Sequence, residues 1–349
     1  MILTSPLRKI LVVNLGGMGD LLLSSASIRS LHNAYPEAKI SLLVSSKAVE
    51  IARRLGFIDK VFVFYPQSLL WIALRGILLL WGLRRECFDL AVNMRTIASS
   101  LSALKARLLL GLINAKVTAG RNTQGRAGFL DISINESEYG DMYERDYDLA
   151  LIEALGIKAV DKRLEFSVTA KEAATLAAIL KEKGLKEGEI LVGVHPGGEQ
   201  SRRWPIKNYQ ELLGSLSSVQ GVRFVITGTT KEAAQAVFLA AKFRQKAIDL
   251  CGALSLGELA ALMKRSALYI CNDTGSMHLA AAVGAPILVI FGGGSLIRFD
   301  PCQLNSLSCV LYKPVSCSPC NKAFCFSKKC LKEVTVQEAA LQARRILKV

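Results

Sequence analysis

Cys271-Asn272-Asp273-Thr274-Gly275-Ser276-Met277-His278-Leu279-Ala280-Ala281-Ala282 follows an apolar run at 267–270 and leads into small residues that end near Gly284-Ala285-Pro286. The run reads as a strand and the small residues as a helix, so Asp273, Thr274 and Gly275 stand where one turns into the other. A helix N-terminus presents free N–H groups and a positive dipole end, which suits a phosphate. Asp and Thr are also ordinary N-cap residues, so a plain capped helix with a surface His278 fits the same spacing. The rest of the chain has to decide between the two.

Outward from that stretch the same unit recurs. Lys9–Asn14 is an apolar strand followed by Leu15-Gly16-Gly17-Met18-Gly19-Asp20 and a helix over 21–34. Strands at 39–44, 60–64, 88–93 and 115–119 alternate with helices, 120–138 reads as loop, 142–155 as helix and 156–168 as linker. The pattern restarts with a helix at 170–183 and strands at 189–194, 222–227, 247–250, 268–271 and 287–291, with a helix at 231–243 and a last helix at 334–347. Apolar strands alternating with helices predict parallel, doubly wound sheets. The expected architecture is α/β: two Rossmann-like domains, 1–165 and 166–332, facing across a cleft, with 333–349 a C-terminal helix. Ligands then belong at the carboxyl ends of the strands.

A chain of 349 residues that is 51% hydrophobic has ample core for two domains. Its net charge of +15 implies an acidic partner. No nucleic-acid motif accompanies that charge and aromatic residues are few, which points to a phosphorylated substrate or an anionic membrane surface. The short apolar run at 10–13 ends at once in Gly16-Gly17 without a cleavage site, so a cytoplasmic location is expected. Residues 69–85 are apolar but interrupted by Arg75 and shorter than a membrane span. Trp71, Trp81 and flanking arginines fit either a helix lying in a membrane interface or a buried helix of the first domain.

The first loop has Gly17-x-Gly19, but Leu22 stands at the third glycine position. The second strand ends in Val44-Ser45-Ser46, without an acid to hold a ribose, so a dinucleotide site is not indicated. What remains is a close-approach backbone with one carboxylate, Asp20, which reads as a helix cap or as a general base toward a hydroxyl. In the second half, His195-Pro196-Gly197-Gly198-Glu199-Gln200-Ser201-Arg202-Arg203-Trp204-Pro205 exposes glycine amides beside two arginines. Arginine matches phosphate oxygens as a two-pronged donor, and this loop and Asp273-Thr274-Gly275 can share one pyrophosphate. Cys317-x-x-Cys320-x4-Cys325-x4-Cys330 is dense enough for a structural zinc or iron site. Disulfides and unpaired thiols are the other two readings.

Gly17-Met18-Gly19-Asp20, Arg202-Arg203-Trp204-Pro205 and Asn272-Asp273-Thr274-Gly275-Ser276-Met277-His278-Leu279-Ala280, in that order, resemble glycosyltransferase family 9. These are the ADP-heptose:lipopolysaccharide heptosyltransferases, and the resemblance covers essentially the whole chain. It implies a GT-B fold, with the helix of 333–349 crossing back to the first domain, and inverting transfer of heptose from ADP-heptose to a lipid A–Kdo core acceptor, with no catalytic cofactor. Working peripherally on the inner membrane follows, and nucleic acid is no partner. By the same resemblance Asp20 falls at the general base, with Gly17 and Gly19 in the acceptor-side loop. Arg202 falls where the family carries a lysine near the phosphates, and Asp273, Thr274, Gly275 and His278 fall in the donor motif. Gly197 and Gly198 replace hydroxyl residues, leaving backbone contacts only. Thr227-Gly228-Thr229-Thr230 stands where some members have an acid near the ribose, which leaves the nucleotide open. The alternatives are a GT-B transferase with another donor or acceptor, a sugar-nucleotide epimerase, or a non-catalytic oligosaccharide binder.

Overall fold

The computed structural model describes residues 7–65, 69–159, 161–320 and 322–349, with backbone only at 69–74. The side chain of Trp71 therefore lies outside the described residues. The chain divides into two compact units, Met1–Phe166 and Ser167–Val349.

The first unit runs β1 (Lys9–Asn14), α1 (Met18–Ala34), β2 (Lys39–Ser45), α2 (Val49–Ala52), β3 (Lys60–Phe64), α3 (Leu69–Arg85), β4 (Leu90–Asn93), α4 (Ser100–Ile113), β5 (Val117–Thr123), β6 (Ile132–Glu136) and α5 (Glu144–Ala154). Its six strands form one sheet in the order β3-β2-β1-β4-β5-β6, every neighbouring pair parallel. Residues 10–14 of β1 are all buried, as a strand covered on both faces must be. Full burial of each such Ile, Leu or Val contributes about 1.5–3 kcal/mol.

Two details differ from the sequence reading. α1 begins at Met18, three residues early, because Gly17 takes the extended N-cap conformation and Asp20 closes the first turn. The stretch 120–138 is not loop throughout: β5 extends into it and β6 lies within it. β6 pairs parallel with β5 across a short connection instead of a crossover helix, and its first four side chains alternate between half-buried and exposed before the buried Glu136. An edge strand of that kind has no apolar run to announce it.

The second unit runs α6 (Ala170–Glu182), β7 (Ile190–His195), α7 (Ile206–Leu216), β8 (Val222–Ile226), α8 (Ala233–Lys242), β9 (Ala247–Asp249), α9 (Leu256–Arg265), β10 (Leu268–Asn272), α10 (Gly275–Ala282), β11 (Ile287–Phe291), α11 (Leu296–Phe299), β12 (Ser308–Tyr312), α12 (Lys329–Lys332) and α13 (Val336–Leu347). The sheet order is β12-β11-β10-β7-β8-β9, again parallel throughout. β12 was not anticipated: every one of its residues is only half-buried at the sheet edge. α9, also unanticipated, carries a Ser255/Glu258 capping box. The last helix, expected to cross to the first domain, belongs to the second unit. Its Ala339 and Ala343 lie in the core cluster that contains α7, and Arg344 donates to the Ser215 carbonyl.

Candidate active site

In each unit the strand order reverses once. The reversal falls between β1 and β4 in the first sheet and between β10 and β7 in the second. Loops leaving the two strands on either side of such a point diverge and open a crevice at their carboxyl ends. The motifs singled out from the sequence fall at these two points.

In the first unit, Gly17 is the N-cap of α1 and Asp20 its third residue. Asp20 Oδ2 accepts the Gly17 amide at 2.7 Å, and Oδ1 pairs with Arg95 Nη1 at 2.5 Å. Asp20 thus caps α1 while keeping about a quarter of its surface open (26%). Gly16 has no room for anything larger, since a Cβ there would stand 2.5 Å from Asp20 Oδ2. Gly19 is buried in the first turn. Arg95 follows β4 and was not identified from the sequence, for a single arginine after a strand carries no pattern.

Beneath this loop lies a fully buried ion cluster. Arg121 pairs with Glu136, Glu144 and Asp148. Ser24 of α1 donates to Asp148 and accepts from Asn14 at 2.9 Å, so the cluster reaches the end of β1. Burial pushes the Asp148 carboxyl up to about 6, although Arg121 opposes it. Three carboxylates around one guanidinium favour keeping a proton.

In the second unit, Asn272 ends β10 and knits the site together. Its Oδ1 accepts the Trp204 amide at 3.1 Å and the Tyr209 hydroxyl at 2.9 Å. Its Nδ2 donates to the carbonyls of Pro196 and Gly197 at 3.0 and 2.8 Å. Trp204 is itself buried and donates from its ring to Val334. Asn272 therefore fixes the glycine loop relative to the start of α10.

Thr274 is the N-cap of α10 and Gly275 its first residue; the Thr274 and Ser276 hydroxyls share a hydrogen bond of 2.6 Å. Gly198 has φ +125°, and a Cβ on it would overlap Thr274 Cγ2. Gly197 is equally confined, with Glu232 Cγ at 2.9 Å from such a Cβ. Arg202 Nη1 pairs with Asp273 Oδ2 at 3.0 Å. Burial raises the Asp273 carboxyl pKa and Arg202 opposes that. Arg202, a quarter exposed, is the member of the pair with access to solvent (25% against 3%). His278 is buried with its ring edge-on to Phe299 rather than lying on the surface. His195 at the end of β7 is pushed down to about 4 by burial and so is neutral at pH 7.

Glu232 was also missed. It caps the Thr229 amide at 2.9 Å and pairs with Arg203 at 3.6 Å. A carboxylate thus stands beside Gly197 and Gly228 after β8, in the region where Thr227-Gly228-Thr229-Thr230 supplies none. The Thr-x-x-Glu spacing of a capping box was the available signal.

The cysteine-rich segment is bolted to the arginine loop. Cys325 N donates to Gln200 Oε1 at 2.9 Å, Ser201 N to the Ala323 carbonyl at 3.3 Å and Lys328 Nζ to the Arg203 carbonyl at 3.3 Å. Cys317, Cys320, Cys325 and Cys330 line one small cavity. Yet among the described residues no three His, Cys, Asp or Glu side chains are placed to hold a metal ion, and all nine cysteines are free thiols. The expected zinc or iron centre is therefore not assembled by these side chains, nor is a disulfide. Cys330 turns into the core beside Leu331 and Val334, whereas Cys317 is exposed.

Comparison with known proteins agrees with this layout. The model of the family described as glycosyltransferase family 9 (heptosyltransferase) matches residues 79–331. Lipooligosaccharide heptosyltransferase 2 of Haemophilus influenzae is 26% identical over 298 residues, covering 81% of this chain and 83% of its own. The solved structure of Escherichia coli ADP-heptose lps heptosyltransferase II superposes with a TM-score of 0.74 at 21% identity, over 98% of this chain and 99% of its own. E. coli heptosyltransferase WaaC with ADP superposes with a TM-score of 0.71 at 18% identity, over 97% of this chain and all of its own (100%). The fold shared with these structures is the GT-B pair of Rossmann-like parallel sheets.

Proposed function

The chain belongs to glycosyltransferase family 9, and on that premise we propose that it transfers a heptose from ADP-heptose to the inner core of a lipopolysaccharide, with inversion and with Asp20 as general base. That it is a glycosyltransferase follows from the family. Donor, acceptor, stereochemistry and residue roles are our reading. The observation that carries it is the placement of Asp20 at one strand-order reversal and of Arg202 with Thr274 and Gly275 at the other.

The acceptor hydroxyl gives its proton to the Asp20 carboxylate as its oxygen attacks the anomeric carbon. The bond from that carbon to the diphosphate breaks and the electron pair leaves with ADP. A carboxylate has about four lone-pair positions. Those beyond the Gly17 and Arg95 contacts are available to the hydroxyl, and Arg95 counters the buildup of charge around the loop. The departing diphosphate needs compensating charge where it forms. Arg202 and the free amides at the start of α10 supply it without a metal, and Gly197 and Gly198 let the phosphates approach the backbone. A solved relative with ADP bound supports an adenine nucleotide donor. Glu232, beside Gly197, offers a carboxylate to the nucleoside.

A lipid A–Kdo acceptor puts the work at the inner-membrane surface, a reading that the net charge of +15 supports. The test is a thermal-shift panel of ADP, UDP, GDP, CMP and NAD, followed by transfer from ADP-heptose to a Kdo-terminated oligosaccharide. A shift with ADP and inverted product support the reading. A shift with UDP or GDP instead of ADP, or a retained anomer, rejects it.

A further inference from the structure

α3 and α4 are each half in the first unit's core and half outside it. Leu79 and Leu83 of α3 pack with Leu109, Leu110 and Ile113 of α4 in one apolar cluster. The outer faces carry large apolar side chains. On α4, Leu101, Leu104, Leu108 and Leu112 are 49–60% exposed. Their spacing places them on one stripe about 80° wide. On α3, Ile77, Leu78 and Trp81 are 57–67% exposed. Arg84 Nη1 donates to the Leu112 carbonyl at 3.2 Å, which joins the two faces side by side.

The charge around this patch has one sign. Neither helix contains an acid, and their charged residues are Arg75, Arg84, Arg85, Lys105 and Arg107, all exposed. The Arg85 guanidinium lies 4.1 Å over the Trp81 ring, leaving a tryptophan with a cation at its rim. Single exposed leucines are normal on a soluble protein, but a contiguous apolar face with a cationic border marks an interaction surface. A second copy is a poor occupant, because a two-fold contact would press these cations against their own equivalents. An anionic bilayer matches both parts. Apolar side chains enter the headgroup boundary and each cation near the surface contributes about 1 kcal/mol. The seat lies on the surface rather than across it, since among the described residues no helix is long and apolar enough to span.

We propose that the joined outer faces of α3 and α4 seat the protein on an anionic lipid surface, with the α4 leucine stripe as its centre. This rests on the reading above in one respect, that the acceptor is lipid-linked.

The full chain is sedimented with vesicles of phosphatidylethanolamine and phosphatidylglycerol, without donor or acceptor, and with vesicles of phosphatidylcholine alone. Leu104→Glu/Leu108→Glu should weaken binding to the anionic vesicles at least about tenfold. Lys105→Glu/Arg107→Glu should also weaken it, and high salt should weaken the wild type. All four side chains are exposed, so matched melting temperatures identify folded variants. Equal vesicle binding by wild type and the leucine variant overturns the proposal. So does a wild-type dimer that the leucine variant dissolves, which would assign the face to a second copy. Transfer to a lipid-free oligosaccharide is measured separately. Its absence in the wild type rejects the catalytic reading and leaves the vesicle result standing.

Discussion

Asp20 Oδ1 and Arg95 Nη1 lie 2.5 Å apart, so an ion pair ties the loop after β1 to the segment after β4 across the strand-order reversal. The other oxygen of the same carboxylate closes the first turn of α1. One side chain thus shapes the loop and stands open to a substrate.

Asp20→Asn separates these duties. The amide oxygen still accepts the Gly17 N–H but the Arg95 ion pair is lost, so the melting temperature should fall, though by less than in Asp20→Ala. A positioned base is worth about 10²–10⁴ in rate, and kcat should fall by that order. Asp20→Ala should lose the same rate and about 1 kcal/mol of stability with the cap. Wild-type kcat in the Asp20→Asn enzyme would leave Asp20 as a cap alone.

Gly198→Ala should raise the donor KM and lower the melting temperature. Its Cβ would overlap Thr274 Cγ2 and its φ of +125° suits glycine alone. Such backbone strain costs about 1–3 kcal/mol. Thr274→Ser removes the obstructing methyl and keeps the hydroxyl. Combined with Gly198→Ala it should therefore recover the steric part of the loss and not the backbone part. Strict additivity of the two melting-temperature changes would contradict the contact.

Stability should depend on pH through Asp148. Burial lifts its carboxyl from 3.8 to about 6. Because the folded value is the higher, its contribution is fully present below about pH 4 and is lost as pH rises through about 6, a difference of about 3 kcal/mol. Asp148→Asn cannot ionise. In urea titrations the variant should gain on the wild type between these pH values and hold the gain above them. A stability difference that stays flat with pH would mean that Asp148 ionises in the fold as freely as in the unfolded chain.

Thiol labelling at mild alkaline pH should reach Cys325 before Cys302. The Cys325 pKa is lowered, first by its Ser327 contact and then by the Lys328 amide. Desolvation, with Asp300 beside it, pushes Cys302 up to about 12. Peptide mapping after brief iodoacetamide treatment reads the order. Protection of Cys325 that a chelator removes would instead show an ion held by the four thiols.

The interior strands were legible because they are apolar runs buried on both faces; Ile287–Phe291 has no polar residue at all. β6 and β12 were not, although the edge strands β3 and β9 were: β6 alternates apolar and polar residues without an apolar run, and β12 is only half-buried throughout. Asp20, Gly198, Arg202 and Asp273 stood out because each follows a strand in a loop that glycine or proline marks. Arg95 and the Arg121 cluster were invisible for a different reason. Their partners are distant in sequence, Arg121 of β5 reaching Asp148 of α5 27 residues on, and no local pattern records which charges will meet. Asn272 belongs to a readable motif, but its four hydrogen bonds are a property of the loops that it joins.

The hydrogen bonds between 200–203 and 322–328 link segments far apart in sequence; Gln200 and Cys325 are 125 residues apart. A chain emerging from the ribosome folds its domains in the order in which they are made. The first unit, with Asp20 and Arg95, is complete once residue 166 has emerged. The loop that carries Arg202 is synthesised soon afterwards, gains its Asn272 contacts once β10 is made, and is fully braced only when the cysteine-rich segment follows. The Asp20–Arg95 pair is therefore in place early in the life of the nascent chain. The last hydrogen bonds of the Arg202 loop form only when residues 322–328 have been made.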